Sequence, residues 1–230
     1  GFVARQGVDA KAFSAGPKAG IGAMASHDDG RTNHEAYWEA FFRQADADAA
    51  AWEELLTEFY EHEVGAIGEG FQPNPAAARA IETLAARGYP LVLATMPMFP
   101  RRAVEWRLAW AGVDASKFAR ITSFENSTSV KPKLAYYAEN VAACGLSGDD
   151  VLMVGNNTVE DLAIQGLGAD AFLVTDPLPD PTAGFALGPV PRAPLEAFAA
   201  CAALLPPLAD PPPGGDAAPV HAAARAATLS

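Results

Sequence analysis

The sequence is poor in cysteine, in basic residues and in long apolar runs. Only two cysteines occur among its 230 residues, Cys144 and Cys201. Their wide separation excludes a disulfide framework and a cysteine-type zinc site. Lysine and arginine total 16 against 28 aspartates and glutamates, which gives a formal net charge of −12. This balance argues against nucleic-acid and anionic-membrane partners, because phosphate groups are bound by a surplus of basic side chains.

No apolar run approaches the ~20 residues that a transmembrane helix needs. The first residues also lack a charged segment followed by an apolar one, so no secretory signal is visible. We therefore expect a cytoplasmic protein. Half of the residues are hydrophobic, which is enough to build a sizeable core and argues against global disorder.

Three regions follow one another along the chain. Residues 1–70 have helical patterning without strand signals, and we expect them to form a helical cap domain. Residues 71–204 alternate short apolar strands with helices, the pattern of an α/β core. Residues 205–230 are rich in proline, alanine and glycine, and we expect a disordered tail there.

The helical region opens on a capping box, in which Thr32 and Glu35 would each bind the other's backbone N–H. Apolar side chains at helical spacing then form two stripes, Tyr37, Trp38, Phe41 and Phe42 in one, and Trp52, Leu55, Leu56 and Phe59 in the other.

The second region predicts a parallel sheet covered by helices on both faces, as in a Rossmann-like three-layer α/β core. Asn74 and Pro75 predict the start of a helix and Gly88 its end. The other predicted elements are strands at 91–94, 121–124, 151–154 and 171–174, and helices from about 102 to 111, 132 to 144 and 159 to 165.

Polar side chains follow three of these strands. Thr95 ends the first, Lys131 comes a few residues after the second, and a turn from Asn156 to Asp161 follows the third. Ligands of open parallel sheets bind beyond the carboxyl ends of the strands. A hydroxyl and an ammonium suit a phosphoryl group, and aspartate and asparagine oxygens suit Mg²⁺.

These segments resemble the motifs of the haloacid dehalogenase superfamily. The apolar strand ending in Thr95 is similar to its second motif, Lys131 with Pro132 to the third, and the segment 151–161 to the fourth. The helical stretch before Phe71 is similar to the helical cap inserted between the first and second motifs. The resemblance runs from about Gly20 to Thr175.

The resemblance implies a Mg²⁺-dependent phosphatase that acts on a small phosphorylated metabolite through an aspartyl-phosphate intermediate. Thr95 and Lys131 would then be catalytic, Thr95 and Met96 would contact the substrate, and Asn156 and Asp161 would bind or orient the metal.

The sequence departs from the family pattern at three places. The first motif, a strand ending in Asp-x-Asp-x-Thr, is absent, and neither Asp28–Gly30 nor Asp46–Asp48 follows an apolar strand. We therefore expect that about one βα unit, on the order of 30 residues, is missing before Gly1, and that this chain alone is inactive. Met96 stands where relatives often carry asparagine, and Asn156 where they often carry aspartate.

Two alternatives stay open at this stage. Asn157 favours metal-free hydrolysis of a carbon–halogen bond, because relatives of that type carry serine and asparagine in the fourth motif. A chain without a nucleophile would instead be a non-catalytic binding relic. Arg31, Arg101 and Arg102 are candidate cations for an anionic substrate, although surface salt bridges explain them equally well.

Overall fold

The computed structural model describes residues 10–44, 49–176 and 189–208. The chain divides into two compact units. The first unit comprises residues 1–72, 94–110 and 121–130, and the second comprises residues 73–93, 111–120 and 131–230. Each unit is therefore built from segments that are separated along the chain.

The first unit is helical in its described residues. Its elements are α1 (Ala10–Ser26), α2 (Asn33–Gln44), α3 (Ala49–Glu58), a π-helix (Phe59–Glu63), α4 (Val64–Ile67) and α6 (Arg101–Trp110). The capping box is confirmed, since the Glu35 carboxylate accepts the Thr32 N–H at 2.8 Å and the Thr32 hydroxyl accepts the Glu35 N–H at 3.2 Å. Because this carboxylate binds the Thr32 N–H, the pKa of Glu35 lies below its ordinary value.

The predicted apolar stripes form the core of the first unit. Trp38, Phe41 and Trp52 are buried together, with Tyr37, Phe42, Leu55 and Leu56 packed around them. Helix α1 approaches this cluster through Gly20, where a Cβ atom would lie only 2.3 Å from the Tyr37 ring. Glycine is required at such a close approach because any larger side chain would collide with the ring.

The second unit contains the α/β elements. They are α5 (Pro75–Ala86), β1 (Val92–Leu93), a 3₁₀ helix (Ala115–Lys117), β2 (Arg120–Ile121, which ends at the start of a first-unit segment), α7 (Leu134–Ala142), 3₁₀ helices at Gly148–Asp150 and Leu162–Leu167, β3 (Leu152–Gly155), β4 (Asp170–Val174), β5 (Arg192–Ala193) and α8 (Leu195–Ala202).

The strands form two sheets, β1–β2 and β3–β4–β5. β3 runs parallel to β4, with Leu152 opposite Asp170 and Gly155 opposite Leu173. β4 runs parallel to β5. The prediction that the strands run parallel is confirmed for β3 and β4, and β5 is an additional strand that the sequence pattern did not indicate.

Helices α5 and α8 pack in the core of the second unit through Ala76, Ala80, Phe198 and Ala199. The predicted start of α5 is confirmed, because the Asn74 side chain accepts the Ala76 N–H at 3.0 Å. Gly88 follows the helix with φ +83°, as a left-handed C-terminal stop requires.

Three predicted elements differ from the structure. The strand expected at 121–124 ends at Ile121, because the Asn126 side chain accepts the Ser123 N–H and donates to the Ile121 carbonyl, which closes a turn. The helix expected from Pro132 begins at Leu134, after the extended residue Lys133. The helix expected from about 159 is a 3₁₀ helix over Leu162–Leu167.

The expected tail begins with four ordered residues. The Leu208 N–H donates to the Arg87 carbonyl at 2.7 Å, and the Tyr89 hydroxyl donates to the Pro206 carbonyl at 2.9 Å. Residues 209–230 lie outside the described part of the chain, so the prediction of disorder there stays a prediction. Over the residues described, the structure has no helix long and apolar enough to cross a membrane.

Candidate functional site

A buried ion pair joins two of the predicted site residues in the second unit. Lys131 Nζ lies 2.6 Å from Asp161 Oδ1, and each residue is only 6 % exposed. The second carboxylate oxygen of Asp161 accepts the Asn157 N–H at 2.9 Å. A buried ammonium or carboxylate needs such partners, because its lost hydration is otherwise uncompensated. The sequence places Lys131 and Asp161 30 residues apart, and the fold brings them together.

The turn after β3 holds the Asp161 carboxylate in place. A Cβ atom at Gly155 would lie 2.2 Å from Asp161 Oδ2, so this position excludes any larger side chain. The Asn157 side chain accepts the N–H groups of Val159 at 3.0 Å and Glu160 at 2.9 Å. Asn157 therefore stabilises the turn as a cap, one of the two roles considered for it from the sequence.

Tyr137 closes this region from α7. It is 2 % exposed, and its hydroxyl donates a hydrogen bond to the Glu160 carbonyl. Burial, and then the negative charges of Asp161 and Glu160, raise the pKa of the Tyr137 phenol well above its ordinary value. The phenol therefore remains a neutral donor at physiological pH.

The fourth motif matches a metal site only in part. Asn156 is exposed beside Gly155, so its carbonyl oxygen can ligate a hard cation. Asp161 is less suited to direct ligation, because Lys131 and Asn157 already bind its two oxygens. Among the residues the structure describes, no group of three histidine, cysteine or acidic side chains could hold a metal ion. Asn156 thus fits as one neutral ligand, and Asp161 fits as the residue that orients Lys131.

Thr95 lies in the first unit, just beyond β1. Its N–H donates to the Thr122 hydroxyl at 2.8 Å, and its own hydroxyl donates to the Thr122 carbonyl at 3.1 Å. To bond a phosphoryl oxygen, the Thr95 hydroxyl would have to exchange this internal carbonyl for the ligand. Met96 follows directly and lines a cavity. The meeting of Thr95 with Lys131, which lies in the second unit, stays a prediction.

The residue Asn33, which sequence reasoning passed over, organises the first unit. It is fully buried, and its amide donates to the carbonyls of Pro97 and Ser129, both at 3.0 Å. Its Oδ1 lies 2.7 Å from His27 Nε2. Pro97 follows Thr95 by two residues, so Asn33 fixes the segment that carries the hydroxyl. The available signal was its place at the start of the helix, four residues before Tyr37 of the apolar stripe.

The candidate cations of the first unit are engaged in ion pairs. Arg31 pairs with Asp29 at 2.6 Å, and because it does so, the pKa of Asp29 lies well below its ordinary value. Arg101 pairs with Glu105 at 2.9 Å, and Arg102 pairs with Glu61 at 2.9 Å. The segment Asp46–Asp48 lies outside the described residues.

Comparison with known proteins decides the family. A model of the haloacid dehalogenase-like hydrolases matches residues 9–168. The chain belongs to this family. A Rossmann-like α/β core with a helical cap, predicted from the sequence, is the fold of this hydrolase.

Solved structures resemble this haloacid dehalogenase-like hydrolase at low sequence identity. A protein of Thermotoga maritima assigned as a β-phosphoglucomutase is 16 % identical with a TM-score of 0.51, and the match covers 83 % of this chain and 89 % of that one. A phosphatase from Thermococcus onnurineus is 18 % identical with a TM-score of 0.49, covering 84 % and 81 %. The L-2-haloacid dehalogenase of Xanthobacter autotrophicus is 18 % identical with a TM-score of 0.44, covering 86 % and 74 %.

No curated protein sequence matches the chain. At these identities the likeness to solved structures concerns the fold and not the substrate. The family therefore establishes a hydrolase, and its reaction has to be argued from the residues.

Proposed function

We propose that this haloacid dehalogenase-like hydrolase is a Mg²⁺-dependent phosphatase of a small phosphorylated metabolite. The observation that carries the proposal is the buried pair of Lys131 and Asp161, whose aspartate lies in the turn that follows β3. A fixed ammonium in a poorly hydrated site stabilises the negative charge that develops on a transferring phosphoryl group. Asp161 holds the Lys131 side chain in one position and so reduces the reorganisation that the reaction needs.

The proposed chemistry has two steps. An aspartate carboxylate, contributed from outside the 230 residues, attacks phosphorus while the bond to the leaving alcohol breaks. A second acid protonates the departing oxygen. Water then attacks the aspartyl phosphate, releases inorganic phosphate and regenerates the carboxylate. The Thr95 hydroxyl donates a hydrogen bond to a phosphoryl oxygen. The Lys131 ammonium offsets the negative charge on the nucleophile and the phosphoryl group.

Asn156 would supply one oxygen ligand to Mg²⁺, which when bound offsets phosphoryl charge. Because Asn156 is neutral, we expect weaker Mg²⁺ binding than an aspartate would give at the same position. The variant Asn156→Asp should therefore lower the Mg²⁺ concentration needed for half-maximal activity. An unchanged or higher requirement would remove Asn156 from the metal site.

The test uses the product of the complete coding sequence, with phosphate release from p-nitrophenyl phosphate as the measurement. We expect turnover with Mg²⁺ and loss of turnover with a chelator. Lys131→Ala should reduce kcat by a factor on the order of 100–1,000, whereas Lys117→Ala, an exposed lysine of the same unit, should leave it unchanged. If the protein neither binds Mg²⁺ nor cleaves a phosphoester, the phosphatase proposal fails.

A second candidate is metal-free hydrolysis of a 2-haloacid. Two observations favour it, the neutral Asn156 and the engagement of both Asp161 oxygens by Lys131 and Asn157. Halide release from 2-chloropropionate in the presence of a chelator would establish this activity. Absence of both activities would leave a non-catalytic binding protein.

A further inference from the structure

The first unit contains a partly open cavity of about 820 Å³. This volume lies in the range of pockets that hold whole organic ligands and far exceeds what a phosphate group fills. Met96 lines the cavity and directly follows Thr95, the residue to which we assign a phosphoryl contact. Thr95 itself does not line the cavity, and the adjacent Met96 is the link between the proposed phosphoryl contact and the cavity wall.

Apolar and aromatic side chains together form most of the cavity wall. Tyr37, Trp38, Phe59, Phe99 and Phe124 contribute rings, and methionines extend the apolar surface. The wall is already packed, since the Phe124 ring lies 4.9 Å edge-on from the His34 ring and 6.2 Å from the Tyr37 ring. Phe99 is 45 % exposed, which is unusual for so large an apolar side chain and leaves its ring available for a ligand.

Both arginines at the cavity are paired with carboxylates. Arg101 Nε lies 2.9 Å from Glu105, and Arg102 Nε lies 2.9 Å from Glu61. The Glu125 carboxylate accepts the backbone N–H of Arg101 at 3.0 Å. Burial raises the pKa of Tyr37 to about 12, so its phenol is neutral at physiological pH. Four carboxylates, those of Glu53, Glu61, Glu105 and Glu125, line the cavity against these two arginines, so its wall favours the part of a ligand that carries no negative charge.

We infer that this cavity binds a planar aromatic or extended apolar group, which in the proposed reaction is the leaving group of the phosphomonoester. The inference rests on the proposed function for its link to phosphate, but the binding itself rests on the cavity. Aromatic ligands gain from stacking against rings and from burial of apolar area. The hydroxyl groups of a sugar phosphate would lose water where they face the apolar part of this wall.

The first experiment compares kcat/KM of the complete coding product for 1-naphthyl phosphate and for glucose 6-phosphate. We expect a preference of at least about tenfold for the naphthyl ester. The variant Phe99→Ala should reduce this preference by about tenfold, and Phe99→Leu should retain part of it. Phe71→Ala is the matched control, because Phe71 is exposed, stacks on Trp110 and does not line the cavity.

A second measurement does not depend on activity. Titration of the 230-residue chain with 1-naphthol should change its tryptophan fluorescence, because Trp38 lines the cavity. Phe99→Ala should weaken this binding by about tenfold, and Phe71→Ala should not. Circular dichroism spectra establish that each variant is folded, and Phe99→Leu preserves the comparison if Phe99→Ala unfolds.

The outcomes separate the inference from the proposed function. Turnover with equal or greater preference for glucose 6-phosphate would overturn the inference and leave the phosphatase proposal intact. Saturable naphthol binding that depends on Phe99, without cleavage of any phosphoester, would support the cavity assignment and overturn the phosphatase proposal. Absence of both naphthol binding and naphthyl ester preference would overturn the inference.

Discussion

The two units bury polar interactions of different kinds. In the first unit, the neutral amide of Asn33 binds two backbone carbonyls and the His27 ring. In the second unit, the ammonium of Lys131 binds the carboxylate of Asp161. A neutral amide satisfies its partners at a small desolvation cost, whereas a buried ion pair costs much more to desolvate. The Lys131–Asp161 ion pair is therefore the interaction that indicates a chemical role, whereas the packing of the first unit alone explains the Asn33 hydrogen bonds.

The largest effect should come from breaking the Lys131–Asp161 ion pair. Lys131→Ala leaves the buried Asp161 carboxylate without its counter-charge, and we expect a loss of about 3–5 kcal/mol in the free energy of unfolding. Urea denaturation of the 230-residue chain measures this loss. Lys117→Ala is the matched control and should change stability by less than about 0.5 kcal/mol. A cost for Lys131→Ala no greater than the control's would mean that water or another group already compensates Asp161.

Breaking the Asn33 hydrogen bonds should have a smaller effect. Asn33→Ala removes the donor to the buried carbonyls of Pro97 and Ser129, so we expect a loss of about 2 kcal/mol in the same measurement. This loss should not depend on salt concentration, because no net charge is removed. Asn156→Ala is the control, since Asn156 is exposed. Equal effects of the two asparagine substitutions would show that the Asn33 bonds contribute nothing net.

The smallest effect is expected for the Tyr137 hydrogen bond, a neutral interaction close to the Lys131–Asp161 ion pair. Tyr137→Phe deletes the hydrogen bond to the Glu160 carbonyl, and we expect a loss of about 1 kcal/mol. The folded protein holds the Tyr137 phenol proton above the ordinary pKa of 10.0, whereas in the unfolded chain this phenol ionises near pH 10. Tyr137 should therefore lower the free energy of unfolding of the wild type only above about pH 10. Tyr137→Phe should therefore show a shallower fall in stability as pH rises beyond 10.

Tyr89→Phe is the matched control for this prediction. The Tyr89 hydroxyl binds the Pro206 carbonyl at an exposed site, and its loss should leave the free energy of unfolding nearly unchanged. A wild-type alkaline slope that persists in Tyr137→Phe would mean that another group titrates there.

Local sequence rules predicted much of the secondary structure. The Thr32–Glu35 capping box, the start of α5 at Pro75 and the stop at Gly88 were predictable because each depends on residues within one turn of the chain. Strand β2 and the 3₁₀ helix after Asp161 differed because side chains intervene there. Asn126 binds the backbone that would have extended β2, and Asn157 with Asp161 closes a tight turn.

For the candidate site, the structure confirms the proximity of Lys131 and Asp161, whereas the inclusion of Thr95 stays a prediction. The order of Thr95, Lys131 and Asp161 after successive strands pointed to a phosphate-binding edge, because parallel strands align their carboxyl ends. The sequence did not indicate that the two carboxylate oxygens of Asp161 bind Lys131 and Asn157, nor that Thr95 binds Thr122. These contacts join residues up to 30 positions apart, and no local pattern encodes them.

The amino-acid order alone determined the helix boundaries set by caps and glycines, the apolar faces of α2 and α3, and the placement of polar residues after apolar strands. These features follow from the geometry of single elements. Only the tertiary structure decided that Lys131 and Asp161 are buried as a pair, that Asn33 ties three separate segments, and that aromatic side chains of the first unit surround a cavity. Burial and partner choice depend on which elements pack together, and packing is a property of the whole fold.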